Sequence, residues 1–283
     1  MNLQNILSEI EKTDPEVYDR LDTRRAAMQS FAKTSGRIAL AAIPFALGSM
    51  FQKASASPTG PSDIIIDTLN FALTLEYLES NFYIMAVASG VIPSGDSLDA
   101  LTIIRDHENE HVNFLKTAIT AAGATPVSFT AANFDFTAKG TFPNVFSDYG
   151  TLLAVAQTFE DTGVRAYKGQ APNLISNNAY LTAALQIHSV EARHAAHLRE
   201  MRKAANLLVP EGVNVKPWIT LNQSGIATSA VQASYNGEEN VTQAGILITN
   251  IGGFNISAAA ASEAFDEPLT KDQVTAIVTP FFA

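Results

Sequence analysis

The sequence contains no cysteine among its 283 residues. Disulfide bonds, thiolate metal ligands and cysteine nucleophiles are therefore excluded. Charge is also scarce, at 16% of residues, and the net charge is −10 at pH 7. This acidic balance argues against a nucleic-acid-binding surface, because phosphate binding needs clustered Lys and Arg. With 47% hydrophobic residues, the chain is too apolar for extensive disorder and long enough for one large domain or a bundle with an appendage.

The N-terminal region lacks an apolar run long enough for a stable membrane span. Its run at residues 38–51 is short and is interrupted by a proline and a glycine. Two arginines at 24–25 precede this run, and the small residues 54–56 follow it, a pattern typical of signal-peptidase cleavage. We interpret residues 1–56 as a twin-arginine-type export signal of a periplasmic or cell-envelope protein. The alternative is an N-terminal helix packed on the core of a cytoplasmic protein.

Helical periodicity of the apolar residues predicts four helices between residues 62 and 208. Gly169 and Pro172 are expected to end the third helix. The long connection at 123–147 has no clear period, and it is explained if it crosses from one end of a bundle to the other. The sequence therefore predicts an all-α fold, an antiparallel four-helix bundle with a long crossover. The helices are expected at 64–89, 97–122, 148–168 and 178–208.

The residues after the fourth helix have a different character. Segments 216–221 and 244–249 are expected to be extended or loop-like, whereas 258–265 and 272–278 are expected to form short helices. We expect residues 209–283 to be a mixed, partly irregular C-terminal extension packed on the bundle, with Trp218 as a packing anchor.

All five histidines fall on the second and fourth predicted helices. Each of these helices carries Glu-x-x-His, as Glu108 with His111 and as Glu191 with His194. Residues three apart share one helical face, so the two side chains of each motif can bind one ion together. A single motif of this kind is weak support for a metal site.

The spacing around these motifs repeats and strengthens the interpretation. Glu76 precedes Glu108 by 32 residues, and Tyr83 follows Glu76 by seven. The second half repeats the pattern, with Glu160 placed 31 residues before its Glu-x-x-His motif and Tyr167 seven residues after Glu160. Because seven residues make two helical turns, each Glu and its Tyr lie on one stripe. The chain therefore contains two hairpins that each supply half a site.

These motifs resemble the ferritin-like di-iron carboxylate family, over about residues 62–208. The family uses one Glu on each of two helices and Glu-x-x-His on the other two. The chain is most similar to bacterial ferritin-like proteins with an export signal and a C-terminal extension, some of them labelled desiccation-related. The resemblance implies Glu108 and either Glu160 or Glu191 as bridging carboxylates. It implies six metal ligands: Glu76, Glu108, His111, Glu160, Glu191 and His194.

The chemistry of this ligand set supports a pair of divalent cations. Four carboxylates in an apolar bundle are costly to bury unpaired, and two such cations balance their charge. Carboxylate oxygens with imidazole favour iron, or alternatively manganese, over zinc or calcium. The competing interpretation is surface Glu and His on amphipathic helices, which we expect for Glu110, Glu200 and His197.

Four neighbouring residues leave alternatives open. Glu79 could replace Glu76 as a ligand, although only Glu76 has a tyrosine seven residues later. Asp161 is expected to be solvated or to contact one of the metal ligands without binding the metal itself. His107 and His188 lack counterparts in each other's half. We therefore expect each of them to contact a metal-ligating side chain without binding the metal, or to be structural.

Tyr83 and Tyr167 are the candidate catalytic residues, and we expect them to donate hydrogen bonds to the bridging carboxylates rather than to form radicals. Three functions fit: a di-iron oxidase or ferroxidase that uses oxygen or peroxide, a manganese catalase-like enzyme, and a non-catalytic stress protein of the envelope with a structural metal site. No nucleic-acid partner and no membrane span in the mature chain are expected, with a homodimer as one option for assembly.

Overall fold

The computed structural model describes residues 63–207 and 215–283. The predicted export signal at 1–56 lies outside these residues. Among the helices that the structure describes, none is long and apolar enough to cross a membrane.

Four long helices dominate the described chain and confirm the predicted all-α bundle. Short connections at 89–95 and 175–177 join α1 to α2 and α3 to α4, which makes each pair an antiparallel hairpin. The two helices of each hairpin pack along each other, and α1 also packs on α3. The helices are α1 Asp63–Ala88, α2 Asp96–Ala121, α3 Tyr149–Leu174 and α4 Asn178–Ala204.

Side-chain caps define where the second hairpin's helices begin. The Asp148 carboxylate accepts a hydrogen bond from the backbone N–H of Thr151 at 2.7 Å, and Asn177 caps α4 by accepting from Ala179 at 3.1 Å. Such caps satisfy N–H groups that have no partner inside the helix.

The third helix is longer than the sequence predicted, because Gly169 does not end it. A Cβ at this position would lie 1.9 Å from the backbone oxygen of Leu269. Gly169 is therefore required for the close approach of the C-terminal extension, and the helix continues through Pro172 to Leu174. Every α3 residue from Val155 to Tyr167 is buried, because the bundle covers one side and the extension the other.

The crossover at 123–147 contributes aromatic side chains to the core. It contains one 3₁₀ turn, Ala131–Asn133. Its Phe136 ring lies 5.5 Å, between ring centroids, from Phe82 of α1. An antiparallel bridge between Phe134 and Phe282 ties the crossover to the end of the chain. The crossover thus packs on α1 and on the C-terminal end of the chain.

The C-terminal extension is mixed and partly irregular. The hairpin turns at Ala244 and Gly245, both with positive φ, and α6 packs on α3. Trp218 is 49% exposed, so the prediction that it anchors the extension by packing is wrong. The elements are β1 Thr242–Gln243, β2 Ile246–Leu247, α5 Ala258–Ser262, α6 Lys271–Val278, and 3₁₀ turns at Ser229–Ser234, Ile251–Gly253 and Thr279–Phe281.

Candidate metal centre

The six residues expected as ligands meet in the middle of the bundle, one or two from each long helix. The four carboxylates are fully buried, and the two histidines are nearly so. We call this set the carboxylate–histidine cluster; it consists of Glu76 on α1, Glu108 and His111 on α2, Glu160 on α3, and Glu191 and His194 on α4.

One half of the cluster is centred on His111. Its Nδ1 atom lies 3.1 Å from Glu76 Oε2, 3.1 Å from Glu108 Oε2 and 3.2 Å from Glu191 Oε1. One imidazole nitrogen carries at most one hydrogen, so it cannot satisfy three carboxylates. Two ligands at right angles on one ion, each at about 2.1 Å, lie about 3.0 Å apart. The spacing therefore matches that of atoms surrounding a common cation.

The other half, centred on His194, has nearly the same geometry. Its Nδ1 atom lies 3.0 Å from Glu108 Oε1, 3.1 Å from Glu160 Oε2 and 3.9 Å from Glu191 Oε2. Each residue of one half has its counterpart from the other sequence repeat in the other half. Exchanging the two hairpins would therefore superimpose one half on the other.

The two halves share Glu108 and Glu191. Each of these carboxylates has an oxygen within ligand distance of both histidine-centred groups, whereas Glu76 belongs to one group and Glu160 to the other. Of the bridging alternatives that the sequence left open, the geometry therefore favours Glu191 over Glu160.

Both tyrosines donate hydrogen bonds into the cluster. Tyr83 binds Glu160 Oε1, and Tyr167 binds Glu76 Oε1. Their partners are thus the two unshared carboxylates and not the shared ones, contrary to expectation. Burial, together with the neighbouring carboxylates, raises the pKa of both phenols well above 10, so they remain donors.

Burial also changes the proton affinity of the cluster. It raises the pKa of Glu76 from 4.5 to about 7, against the opposing effect of His111. For Glu108, burial is outweighed by His111 and His194, and its pKa is lowered. Burial lowers the pKa of His194, but Glu160 and Glu108 outweigh it and raise the pKa to about 11. Without a cation, protons on the histidines therefore balance part of the carboxylate charge.

Some oxygens of the shared carboxylates have no hydrogen-bond partner among the described residues. They are Glu108 Oε1 and both oxygens of Glu191. Buried carboxylate oxygens without partners are costly, and a cation removes this cost. The histidine Nδ1 atoms lie close to two of these oxygens, at 3.0 and 3.2 Å, but form no hydrogen bond with them. The donor set, the negative charge and these oxygens without hydrogen bonds together make the cluster compatible with a metal site.

Two further histidines were expected either to contact a metal ligand without binding the metal or to be structural. His107 Nδ1 lies 2.9 Å from His194 Nε2, and the two rings stack with an angle of 14°. His107 thus orients His194, as second partners of ligating histidines do. His188 instead lines a separate pocket beside the C-terminal extension. His197, Glu110 and Glu200 are exposed, as predicted.

Glu79 is a fifth buried carboxylate next to the cluster. It belongs to neither histidine-centred group, so it does not replace Glu76 here. A Cβ on Gly163 would lie 3.3 Å from Glu79 Oε1 and 3.6 Å from Glu191 Oε2. The missing side chain of Gly163 therefore leaves room for both carboxylates.

Asp161 is buried rather than solvated, and its partners were not predicted. Arg199 of α4 donates to its Oδ2 atom at 2.6 Å, and Tyr235 of the extension donates at 2.8 Å. Asp161 adjoins Glu160 in sequence, so this network links the extension to the third helix beside the cluster. No local spacing in the sequence pointed to Tyr235.

Comparison with known protein families agrees with this geometry. Residues 65–204 match the sequence model of the ferritin-like domain family. The chain carries a ferritin-like domain. The match covers the four long helices except the first two residues of α1, and it includes the whole carboxylate–histidine cluster. A search among curated proteins finds no significant match.

Proposed function

We propose that the carboxylate–histidine cluster holds two metal ions, iron or manganese, and that the loaded centre oxidises metal or reduces oxygen or peroxide in stress protection. The observation that carries this proposal is the pair of histidine-centred groups with two carboxylates in common. Two ions that lie close together are expected to share ligands between two equivalent positions. A chance cluster of acidic residues has no reason to show that arrangement.

The ligand chemistry favours iron or manganese. Four carboxylates and two imidazoles supply hard oxygen and nitrogen donors, and two divalent cations balance a charge of −4. Zinc prefers closed four-coordinate sites, and calcium rarely takes histidine. Each shared carboxylate occupies a position on both ions. Six protein ligands would nevertheless leave coordination positions open on two ions that prefer about six ligands each.

When bound in their reduced state, the two ions would supply electrons to dioxygen or peroxide. The protein's own contribution is positioning and exclusion of water. Tyr83 and Tyr167 hold the unshared carboxylates in place, and His107 fixes the ring of His194. Preorganised ligands of this kind lower the reorganisation needed during reaction.

An apolar cavity of about 20 Å³ lies between the helices near Tyr167. A cavity of this size holds about one water-sized molecule. Its walls include Leu69, Leu115 and Ala183, and an apolar lining favours a small apolar molecule over water. Dioxygen fits this description better than peroxide does.

Anaerobic loading followed by mixing with an oxidant tests the proposal. Wild-type protein is loaded with Fe(II) or with Mn(II) and mixed with oxygen or peroxide in a stopped-flow instrument. We expect oxidant consumption faster than that of the free metal. Glu108→Gln should lose this reaction and bind less metal, because both positions use Glu108.

Glu110→Gln is the matched control, since Glu110 is exposed on the same helix. It should behave as wild type. If the loaded protein consumes neither oxidant faster than free metal, a structural metal site replaces the enzymatic proposal. If neither metal binds, the metal proposal itself fails.

A further inference from the structure

A second pocket lies beside the C-terminal extension, away from the carboxylate–histidine cluster. Its volume is about 370 Å³, within the size range of small-molecule sites. Helices α3 and α4 form one side, and segments 218–219 and 263–266 of the extension form the other. Neither the ferritin-like domain nor the proposed metal chemistry explains this pocket.

Several large aromatic and aliphatic side chains around the pocket are exposed to solvent. Trp218 is 49%, Phe265 43% and Leu185 48% exposed, and all three line the pocket. Large apolar side chains that surround a concave surface are typical of binding sites. Aromatic walls favour a planar ring, which can stack on them or meet them edge to face.

The charged groups around the pocket balance one another in sign. Lys216 binds both carboxylate oxygens of Glu263, at 2.6 and 2.7 Å, and Thr220 adds a third bond at 2.8 Å. Lys168 donates to the backbone oxygen of Asp266 and lies 5.7 Å from the centroid of the Phe265 ring. The Asp266 carboxylate also lines the pocket and is close enough to the Lys168 ammonium for their opposite charges to interact. The charges around the pocket therefore largely cancel, which favours an uncharged ligand.

One polar atom at the pocket wall has no partner. His188 lines the pocket, and its buried Nε2 atom makes no hydrogen bond with any residue in the described part of the chain. An unpaired buried nitrogen is unfavourable. A ligand hydroxyl pairs with it in either tautomer, because a hydroxyl both donates and accepts.

We propose that this pocket binds an uncharged, planar aromatic molecule that carries a hydroxyl group. The ring packs against Trp218 and Phe265, and the hydroxyl pairs with His188. Binding requires no metal, so it stands or falls independently of the proposed metal chemistry.

Trp218 is the only tryptophan of the chain, so its fluorescence reports on this pocket in the full-length protein. Three probes separate the required features: 4-hydroxybenzamide, benzamide without the hydroxyl, and the anion 4-hydroxybenzoate. We expect a saturable change of Trp218 emission with 4-hydroxybenzamide, confirmed by calorimetry. Its affinity should be roughly tenfold above that of benzamide, the ratio expected for one well-made hydrogen bond. It should also exceed that of 4-hydroxybenzoate, because the anion must give up its hydration without finding a free cation in the pocket.

Variants then assign the contacts while keeping the reporter. His188→Ala should make 4-hydroxybenzamide and benzamide bind equally, and Phe265→Ala should weaken both to a similar degree. His197→Ala is the control, because His197 is exposed on the same helix and does not line the pocket. Circular dichroism checks that each variant is folded; if one is not, the three-probe comparison on wild type still decides.

Absence of saturable binding for all three probes at millimolar concentration would overturn the proposal. Equal binding of benzamide, or tighter binding of 4-hydroxybenzoate, would also overturn it, because the hydroxyl or the neutrality of the ligand would then be irrelevant.

Discussion

Tyr83 of the first hairpin donates a hydrogen bond to Glu160 of the second. The second hairpin returns the contact, since Tyr167 donates to Glu76. Each tyrosine stands seven residues after the glutamate of its own half but binds the glutamate of the other half. The two halves of the cluster are therefore tied together by a crossed pair of hydrogen bonds.

The crossed contact predicts the effect of Tyr83→Phe. Glu160 loses a donor but keeps its position between the helices, so we expect both metal ions to be retained. The rate of oxidant consumption should change by about tenfold to 100-fold, as is common when an outer partner of a ligand is removed. Tyr77→Phe is the control, because Tyr77 is buried on the same helix and packs on Phe129. Equal rates for both variants would show that the Tyr83 hydroxyl is not needed.

Shared and unshared carboxylates should differ in metal stoichiometry. Glu108→Gln and Glu191→Gln remove ligands of both positions, so each should leave little bound metal. Glu76→Gln and Glu160→Gln touch one position each and should leave about one ion per chain. Elemental mass spectrometry after gel filtration measures this ratio. Loss of both ions in the Glu76 variant, or retention of both in the Glu108 variant, would contradict the assignment.

The metal-free chain should become less stable as pH rises from about 5 to about 9. Glu76 has a pKa of about 7 against a usual 4.5, so its stabilising contribution is complete below 4.5 and lost by about pH 7. His194, raised from 6.5 to about 11, contributes fully below 6.5 and loses its contribution as pH approaches 11. Both groups bind protons more tightly when folded, so the two effects have the same sign.

Thermal melts of chelator-treated protein across this range measure the trend. The lowered pKa of Glu108 acts in the opposite direction, but only in more acidic solution, below its usual pKa of 4.5. Metal-loaded protein should show the reverse dependence, because ions bind the deprotonated ligands and release protons. A rise in the melting temperature of the metal-free chain from pH 5 to 9 would be inconsistent with the buried cluster.

Gly169→Ala should destabilise the chain by about 3 kcal/mol or more. The new Cβ would meet the backbone oxygen of Leu269 at 1.9 Å, and backbone cannot move aside as a side chain can. Gly150→Ala is the control on the same helix, since its Cβ would meet only side-chain atoms, the flexible end of Leu207 at 3.2 Å and Oδ1 of Asp148 at 3.4 Å. We expect that variant to be neutral or stabilising by up to about 1 kcal/mol. Denaturant unfolding of both variants compares them.

Export remains a prediction from the N-terminal sequence. If residues 1–56 direct twin-arginine transport, replacing Arg24 and Arg25 by Lys should trap the precursor in the cytoplasm. The mature chain from wild type should begin near Ser57, as N-terminal sequencing of the exported protein would show. Unchanged export of the double variant would exclude this route.

Much of the arrangement followed from local spacing. Three of the four helices were predicted nearly to their ends, and the side chains expected to meet do meet. The failures have identifiable causes. Gly169 was taken as a helix end, but it permits a backbone 100 residues later in the chain to approach. Asp161 was expected either to be solvated or to contact a metal ligand, because nothing in its own segment revealed Arg199 or Tyr235 as its partners.

The sequence by itself determined the helices and the faces on which Glu76, Glu108, Glu160 and Glu191 lie, because separations of three and seven residues fix a face within one rigid helix. Only the tertiary structure decided that Glu191 rather than Glu160 is shared between the two groups. It also decided that each tyrosine binds the other half's glutamate. These choices depend on the relative rotation and height of separate helices, which side-chain packing sets and which no periodicity within one helix encodes.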